Sequence, residues 1–140
     1  MTAQLAYLDA SALTKLVLPE RESPAVEQLI AGLDIVSSEI ASIEVRRALL
    51  RLGASPKLAE RARIVLAGVV FLSIDSLIVQ RAASIAPGAL KTLDAIHLAT
   101  ALRLAPDRVL FVGYDKRLNA AARQHGLDVN APEVADLYDT

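Results

Sequence analysis

Val69-Val70-Phe71-Leu72 is an unbroken run of four apolar residues, too short for a helix and rich in the β-branched and aromatic types that suit a pleated strand. No polar residue alternates through it, which predicts a strand covered on both faces, the pattern of a parallel sheet between helices. Working outward, Val109-Leu110-Phe111-Val112 and Leu5-Ala6-Tyr7-Leu8 have the same character, and Ile35-Val36 and Leu127 to Val129 read as shorter strands. Helical stretches separate them. Ser11 to Leu18 stops at Pro19, Glu22 to Leu33 carries Gly32 near its end, and Ser38 to Leu52 stops at Gly53. Ser55-Pro56 then supplies an N-cap and a first-turn proline for a helix to about Leu66. Asp75 to Ala86 is broken by Pro87-Gly88, Thr92 to Leu104 ends before Pro106, and Asp115 to Gln124 is closed by Gly126. Strands alternating with helices predict an α/β protein with a parallel sheet.

The chain has 140 residues, enough for one domain around one core. Hydrophobic residues make up 54% and aromatics only 4%, so aliphatics must fill that core. Twenty-five Ala and 23 Leu favour helix and exclude disorder for the bulk of the chain. The longest uncharged stretch of the apolar middle, Ile64 to Ile74, has 11 residues, short of the roughly 18–20 that cross a membrane. No basic segment followed by an apolar one opens the chain, so no secretory signal is expected and the cytoplasm is the simplest address. The absence of cysteine excludes disulfides, thiolate zinc sites and cysteine nucleophiles. With 15 basic against 16 acidic residues, any nucleic-acid contact has to be local.

Ligands of open parallel sheets bind beyond the carboxyl ends of the strands, and two aspartates fall there: Asp9 after Leu8, and Asp115 after Val109–Val112. Asp94 lies in the first turn of the helix from Thr92. Glu44 lies at the edge of an apolar arc formed by Ala41, Val45, Ala48, Leu49 and Leu52. Each acid taken alone has a plain structural reading. Asp9 and Asp115 suit helix N-caps, Asp94 complements a helix dipole, and Glu44 sits at i+3 from Arg47. Taken together they suggest one pocket. Several carboxylates within about 5 Å repel unless a cation offsets them, and hard oxygen donors without cysteine point to Mg²⁺ or Mn²⁺ and to phosphate chemistry.

Four blocks then resemble the PIN-domain proteins, in particular the VapC-type toxins of bacterial toxin–antitoxin pairs. They are Tyr7-Leu8-Asp9-Ala10-Ser11-Ala12-Leu13, Ser38 to Ala48 around Glu44, Leu93-Asp94-Ala95-Ile96-His97-Leu98-Ala99-Thr100-Ala101, and Tyr114-Asp115-Lys116-Arg117-Leu118. The blocks come in the family's order and span nearly the whole chain. The resemblance implies a PIN-like three-layer α/β/α domain over residues 1–140, with a parallel sheet of four to five strands. It also implies a metal-dependent endoribonuclease that inhibits growth by cutting tRNA, rRNA or mRNA and leaves 5′-phosphate and 3′-hydroxyl ends. The acids carry over onto Asp9, Glu44, Asp94 and Asp115. Asp9 and Asp94 become principal ligands of Mg²⁺ or Mn²⁺, Asp115 a supporting ligand, and Glu44 a ligand or water-orienting base.

Ser11 is the supporting hydroxyl, and Arg46, Lys91 and Lys116 are candidate RNA contacts. A VapB-like antitoxin helix is the expected partner, and a homodimer the expected assembly. Leu13, Leu16, Val17, Leu29 and Ile30 of the first two helices are expected to supply the apolar seat. One position departs from the pattern: Gly113 stands where the family often has Thr or Ser, so a hydroxyl near the metal shell is missing. That departure favours the alternative of a weak or inactive PIN module that binds RNA or a protein. A phosphohydrolase or receiver domain would want a further acid beside Asp9, where the chain has Leu8, Ala10 and Ser11. His97 reads as a packed residue of an Ala- and Leu-rich helix, and His125 as a helix-end residue. Tyr7 and Tyr114 read as packing residues ahead of base-stacking ones.

Overall fold

A computed structural model describes residues 4–134. Five parallel strands form one sheet: β1 (Leu5–Leu8), β2 (Asp34–Ser38), β3 (Val70–Leu72), β4 (Val109–Val112) and β5 (Asp128–Asn130). Seven α-helices fill the crossovers among the described residues. These are α1 (Ala10–Val17), α2 (Ser23–Ile30), α3 (Glu39–Leu52), α4 (Pro56–Ala67), α5 (Ser76–Ser84), α6 (Thr92–Arg103) and α7 (Lys116–Gln124). The spatial order is β3-β2-β1-β4-β5. The chain begins in the middle, runs outward to β3, then jumps back to place β4 beside β1. That reversal opens a crevice at the carboxyl ends of β1 and β4, where sheets of this kind bind ligands.

The two-residue period of a strand divides the core. Ala6 and Leu8 of β1 and Val112 of β4 pack with Ala12, Leu13, Leu16, Val26, Val45, Leu49 and Leu66 of α1 to α4. Tyr7 of β1 and Val109 and Phe111 of β4 pack with Leu98, Leu102, Leu118 and Ala122 of α6 and α7. The result is the expected helix–sheet–helix sandwich. Five of the seven described helices start with a side-chain cap. Asp9, Ser38, Ser55, Asp75 and Asp115 each accept a backbone N–H of the first turn. Gly53 closes α3 at φ 64°, a left-handed cap that glycine adopts without strain.

Three expectations need correction. β3, expected to be buried, is a short edge strand paired to β2 alone, and Val70 is exposed; a run of apolar residues is equally compatible with an edge. Leu52, placed on the apolar arc of α3, is exposed, because the arc ends with Leu49 where the helix leaves the sheet. Leu13, Leu16, Val17 and Ile30 offer no outer apolar face. They are buried, since α1 is covered by α2, α3 and α4. The exposed large hydrophobics lie elsewhere, including Leu50 on α3, Ile64 on α4, and Leu77 and Val79 on α5. Among the described residues no helix is long and apolar enough to cross a membrane.

Candidate active site

Asp9 follows β1 directly and is the most deeply buried of the four acids, at 3% exposure. Its Oδ1 accepts the Ala12 N–H at 3.0 Å and the Ser11 hydroxyl at 2.6 Å. The cap holds Oδ1, and Oδ2 lies against Gly113. Ser11 Oγ in turn accepts the Tyr114 N–H at 2.9 Å, which ties the end of β1 to the loop after β4. Burial pushes the Asp9 carboxyl above its usual range, while His97 nearby and the Ser11 bond pull it down.

Gly113, where the chain departs from the family pattern, lies against the Asp9 carboxylate. A Cβ at this position would lie 2.8 Å from Asp9 Oδ2, 3.0 Å from Asp9 Cγ and 3.2 Å from Asn119 Oδ1. Asn119, buried on α7, donates from Nδ2 to the Gly113 carbonyl at 3.0 Å and braces this turn. Glycine thus leaves the space that the Asp9 carboxylate fills, and Ser11 donates a hydroxyl to that carboxylate.

Asp94 sits half-buried in the first turn of α6, with its carboxyl pushed up to about 6. Desolvation is the main cause; the charges of Asp115, Asp9 and Glu44 add to it, and His97 works the other way. Asp94 is thus within electrostatic reach of the three other acids. Asp115 is exposed and caps α7, with Oδ1 accepting from the Arg117 N–H at 2.9 Å and the Leu118 N–H at 3.0 Å. Glu44, on α3, bonds through Oε1 to His97 Nε2 at 2.7 Å, so its partner is a histidine on another helix and not Arg47.

The sequence-based reading undervalued His97. It is packed, at 2% exposure, but it also bridges two site elements: Nε2 meets Glu44, and Nδ1 meets the Tyr7 hydroxyl at 2.7 Å. Its position three residues after Asp94 puts both on neighbouring parts of α6, and that spacing was the available signal. Tyr7 is fully buried, stacked on Phe111 with ring centroids 5.5 Å apart, so no base reaches it. Tyr114 donates to the Pro132 carbonyl and has Lys15 Nζ over its ring. His125 lies away from the crevice, bonded to the Ala86 carbonyl.

Of the candidate RNA contacts, Lys91 precedes α6 as its N-cap and Lys116 opens α7, both exposed beside Asp94 and Asp115. Arg46 is two residues beyond Glu44, about 200° round the helix. It lines a cavity of about 530 Å³ between α3 and α4, with Leu49, Leu50, Ala62 and Leu66. The structure brings the four acids to one end of the sheet and sets Arg46 apart from them.

The donor set suits a hard divalent cation, since a half-buried carboxylate raised by three other carboxylates gains from a positive charge placed among them. Among the described residues no three acidic or histidine side chains lie close enough to grip an ion as they stand. One oxygen each of Asp9, Glu44 and Asp115 is held in a hydrogen bond.

Fold and site define an α/β domain with acids at the switch point of a parallel sheet, and the chain belongs to the PIN domain family, whose model matches residues 6–124. It is 42% identical over 127 residues to "Ribonuclease VapC46" of Mycobacterium tuberculosis (strain ATCC 25618 / H37Rv), covering 90% of this chain and 96% of the relative. It is 35% identical over 131 residues to "Ribonuclease VapC47" of Mycobacterium tuberculosis (strain CDC 1551 / Oshkosh), with the same coverage of 90% and 96%. Among solved structures, VapBC2 from Rickettsia felis, bound to a DNA fragment from its promoter, superposes with a TM-score of 0.71. That match has 10% identity and covers 92% of this chain and 99% of that one. Mycobacterium tuberculosis VapC20, a sarcin-ricin loop cleaving toxin, gives 0.65 at 17% identity, covering 83% and 94%. Both confirm the fold.

Proposed function

We infer that this protein is a metal-dependent endoribonuclease of the VapC type, a single-domain toxin that hydrolyses RNA phosphodiester bonds. The observation that carries the reading is the placement of Asp9, Glu44, Asp94 and Asp115 at one end of the sheet, Asp9 and Asp115 directly after β1 and β4. Asp94 is raised there by burial and then by the charges of the other three. The relatives named as ribonucleases at 42% and 35% identity support it.

Asp9 and Asp94 would hold Mg²⁺ or Mn²⁺ and Asp115 would support them; when bound, the cation offsets charge on the scissile phosphate and acidifies an attacking water. Asp9 is prepared for this by Ser11 and Ala12, which lock its rotamer before any ligand arrives. Glu44 orients the water, or shares the cation. Lys91 and Lys116 stand where the RNA backbone on either side of the cut would pass, and their charges favour its approach. Hydrolysis leaves a 5′-phosphate and a 3′-hydroxyl, and the loss of intact RNA stops translation and growth in the cytoplasm.

The partner is a VapB-like antitoxin whose amphipathic helix buries apolar side chains. Leu50, exposed on the lining of the cavity between α3 and α4 with Leu49, Ala62 and Leu66 beneath it, marks the seat that suits it. The toxin itself is proposed to act as a homodimer. Gly113, the one feature that favoured an inactive binding module, instead makes room for Asp9.

The test is cleavage of end-labelled RNA with Mg²⁺ or with a chelator, for the wild type, Asp9→Asn and Asp94→Asn. The reading expects cutting by the wild type with metal and none in the other samples. Equal cutting by all three proteins, or cutting that survives chelation, would overturn it.

A further inference from the structure

We propose that His97 is a positioning residue for Glu44, held in one tautomer by the buried hydroxyl of Tyr7; this rests on the reading of Glu44 as part of the nuclease site. The three groups form one chain of hydrogen bonds, Tyr7 Oη to His97 Nδ1 at 2.7 Å and His97 Nε2 to Glu44 Oε1 at 2.7 Å. The chain runs from the middle of the sheet to the crevice, and its first two members are buried to 0% and 2% exposure. An ionised carboxylate only accepts, so Nε2 must carry the hydrogen. In the neutral ring Nδ1 then accepts, and the Tyr7 hydroxyl is the donor that meets it. Tyr7 is itself immobile, stacked on Phe111 and set edge-on to His97, with ring centroids 5.5 and 5.9 Å away.

Glu44 needs such help. It lies at the edge of α3 with about a quarter of its side chain open to solvent, and a Glu with three free torsions would sweep a wide arc. Pinning Oε1 from a rigid neighbour leaves Oε2 for the crevice, already oriented. Glu44 and His97 are 53 positions apart, on α3 and α6, so this bond also fixes how the two acid-bearing helices face each other. An isolated packed histidine would need neither partner.

The experiment combines two readouts on the full chain. Ring-nitrogen NMR of the metal-free protein at neutral pH reports which nitrogen of His97 carries hydrogen, in the wild type and in Tyr7→Phe. The proposal expects hydrogen on Nε2 in the wild type and a mixed or reversed tautomer in Tyr7→Phe. Hydrogen on Nδ1 in the wild type, alone or together with hydrogen on Nε2, would overturn it.

RNA cleavage by His97→Leu, His97→Gln, Glu44→Gln and the double variant His97→Leu/Glu44→Gln then tests the consequence. Loss of an outer partner of this type costs about 10–100-fold, so His97→Leu should lower kcat by that factor with little change in KM. His97→Gln, whose amide reaches Glu44 from the same place, should recover most of the loss. The double variant should be no slower than Glu44→Gln. His97→Gln as slow as His97→Leu, or losses that multiply in the double variant, would sink the proposal. If Glu44→Gln cleaves at the wild-type rate, the nuclease reading of Glu44 has failed and the role of His97 falls with it. If Glu44→Gln is slow and His97→Leu is not, only the proposal falls.

Discussion

Gly113→Ala adds one methyl group, and the structure says what it must displace. The new carbon would stand 2.8 Å from Asp9 Oδ2 and 3.0 Å from Asp9 Cγ, whereas relaxed contacts settle near 3.5 Å. The carboxylate would have to retreat by about half an ångström or more. It cannot do so freely, because Oδ1 is held at 2.6 Å by Ser11 and at 3.0 Å by the Ala12 N–H. Nor can Asn119 yield easily, being buried and bonded to the Gly113 carbonyl.

Weakening one bond to a charged acceptor costs about 1.5 kcal/mol, and overpacking adds about 1 kcal/mol or more. The smaller entropy of the unfolded alanine chain returns about 0.5 kcal/mol. The net loss is about 2 kcal/mol, which for a chain of this size lowers Tm by roughly 6 °C. Thermal unfolding followed by circular dichroism, in metal-free buffer, measures it. A second variant isolates the cause. Asp9→Ser keeps a helix cap but withdraws the carboxylate, so adding Gly113→Ala to it should cost almost nothing. An unchanged or raised Tm for Gly113→Ala alone, or the same cost in both backgrounds, would refute the close-contact argument.

Asp94 gives a pH prediction. Its folded carboxyl titrates near 6, against an ordinary 3.8, so the folded state holds this proton more tightly and stability falls as pH rises from about 4 to about 6. Full linkage would be worth roughly 3 kcal/mol, but the side chain is half open to solvent screening, and about 1 kcal/mol is expected. Asp94→Asn should therefore be more stable than the wild type at pH 7 and should flatten the pH dependence in urea titrations; parallel profiles would contradict this. Leu13→Ala, at a fully buried site, should cost about 2–5 kcal/mol. Leu50→Lys, at an exposed one, should change stability by less than about 0.5 kcal/mol while weakening antitoxin binding in calorimetry. Equal destabilisation by the two would show that the outer face of α3 is misassigned.

The elements were legible because their signals are local. Apolar runs mark the strands, and capping residues such as Ser55, Asp75 and Asp115 mark where helices begin. The four acids were legible because each follows a strand or sits at a fixed place in a helical motif. What stayed hidden depends on residues distant in the chain. Whether Val70 lies at an edge is decided by the order of strands. Leu13 and Leu16 are covered because α2 and α4 fold over α1, which no helical periodicity reveals. The bond from His97 to Glu44 spans 53 positions, and the fit of Asp9 against Gly113 joins the ends of two different strands. Gly113 reads in sequence as a missing hydroxyl, and the room it leaves for Asp9 shows only in the fold.

The central claim is that the four acids form one cation site. Thermal unfolding of the wild type and Asp94→Asn, with and without millimolar Mn²⁺, tests it without needing to know the RNA target. Asn is close to Asp in size, and Lys91 is the N-cap of α6, so the substitution withdraws the charged ligand without removing a cap. Each protein is compared with itself in the absence of Mn²⁺. A cation at tenfold its dissociation constant stabilises the folded state by about 1.4 kcal/mol. The account predicts that Mn²⁺ raises the wild-type Tm and leaves Asp94→Asn where it was. Equal shifts in both proteins, or none in either, would contradict it.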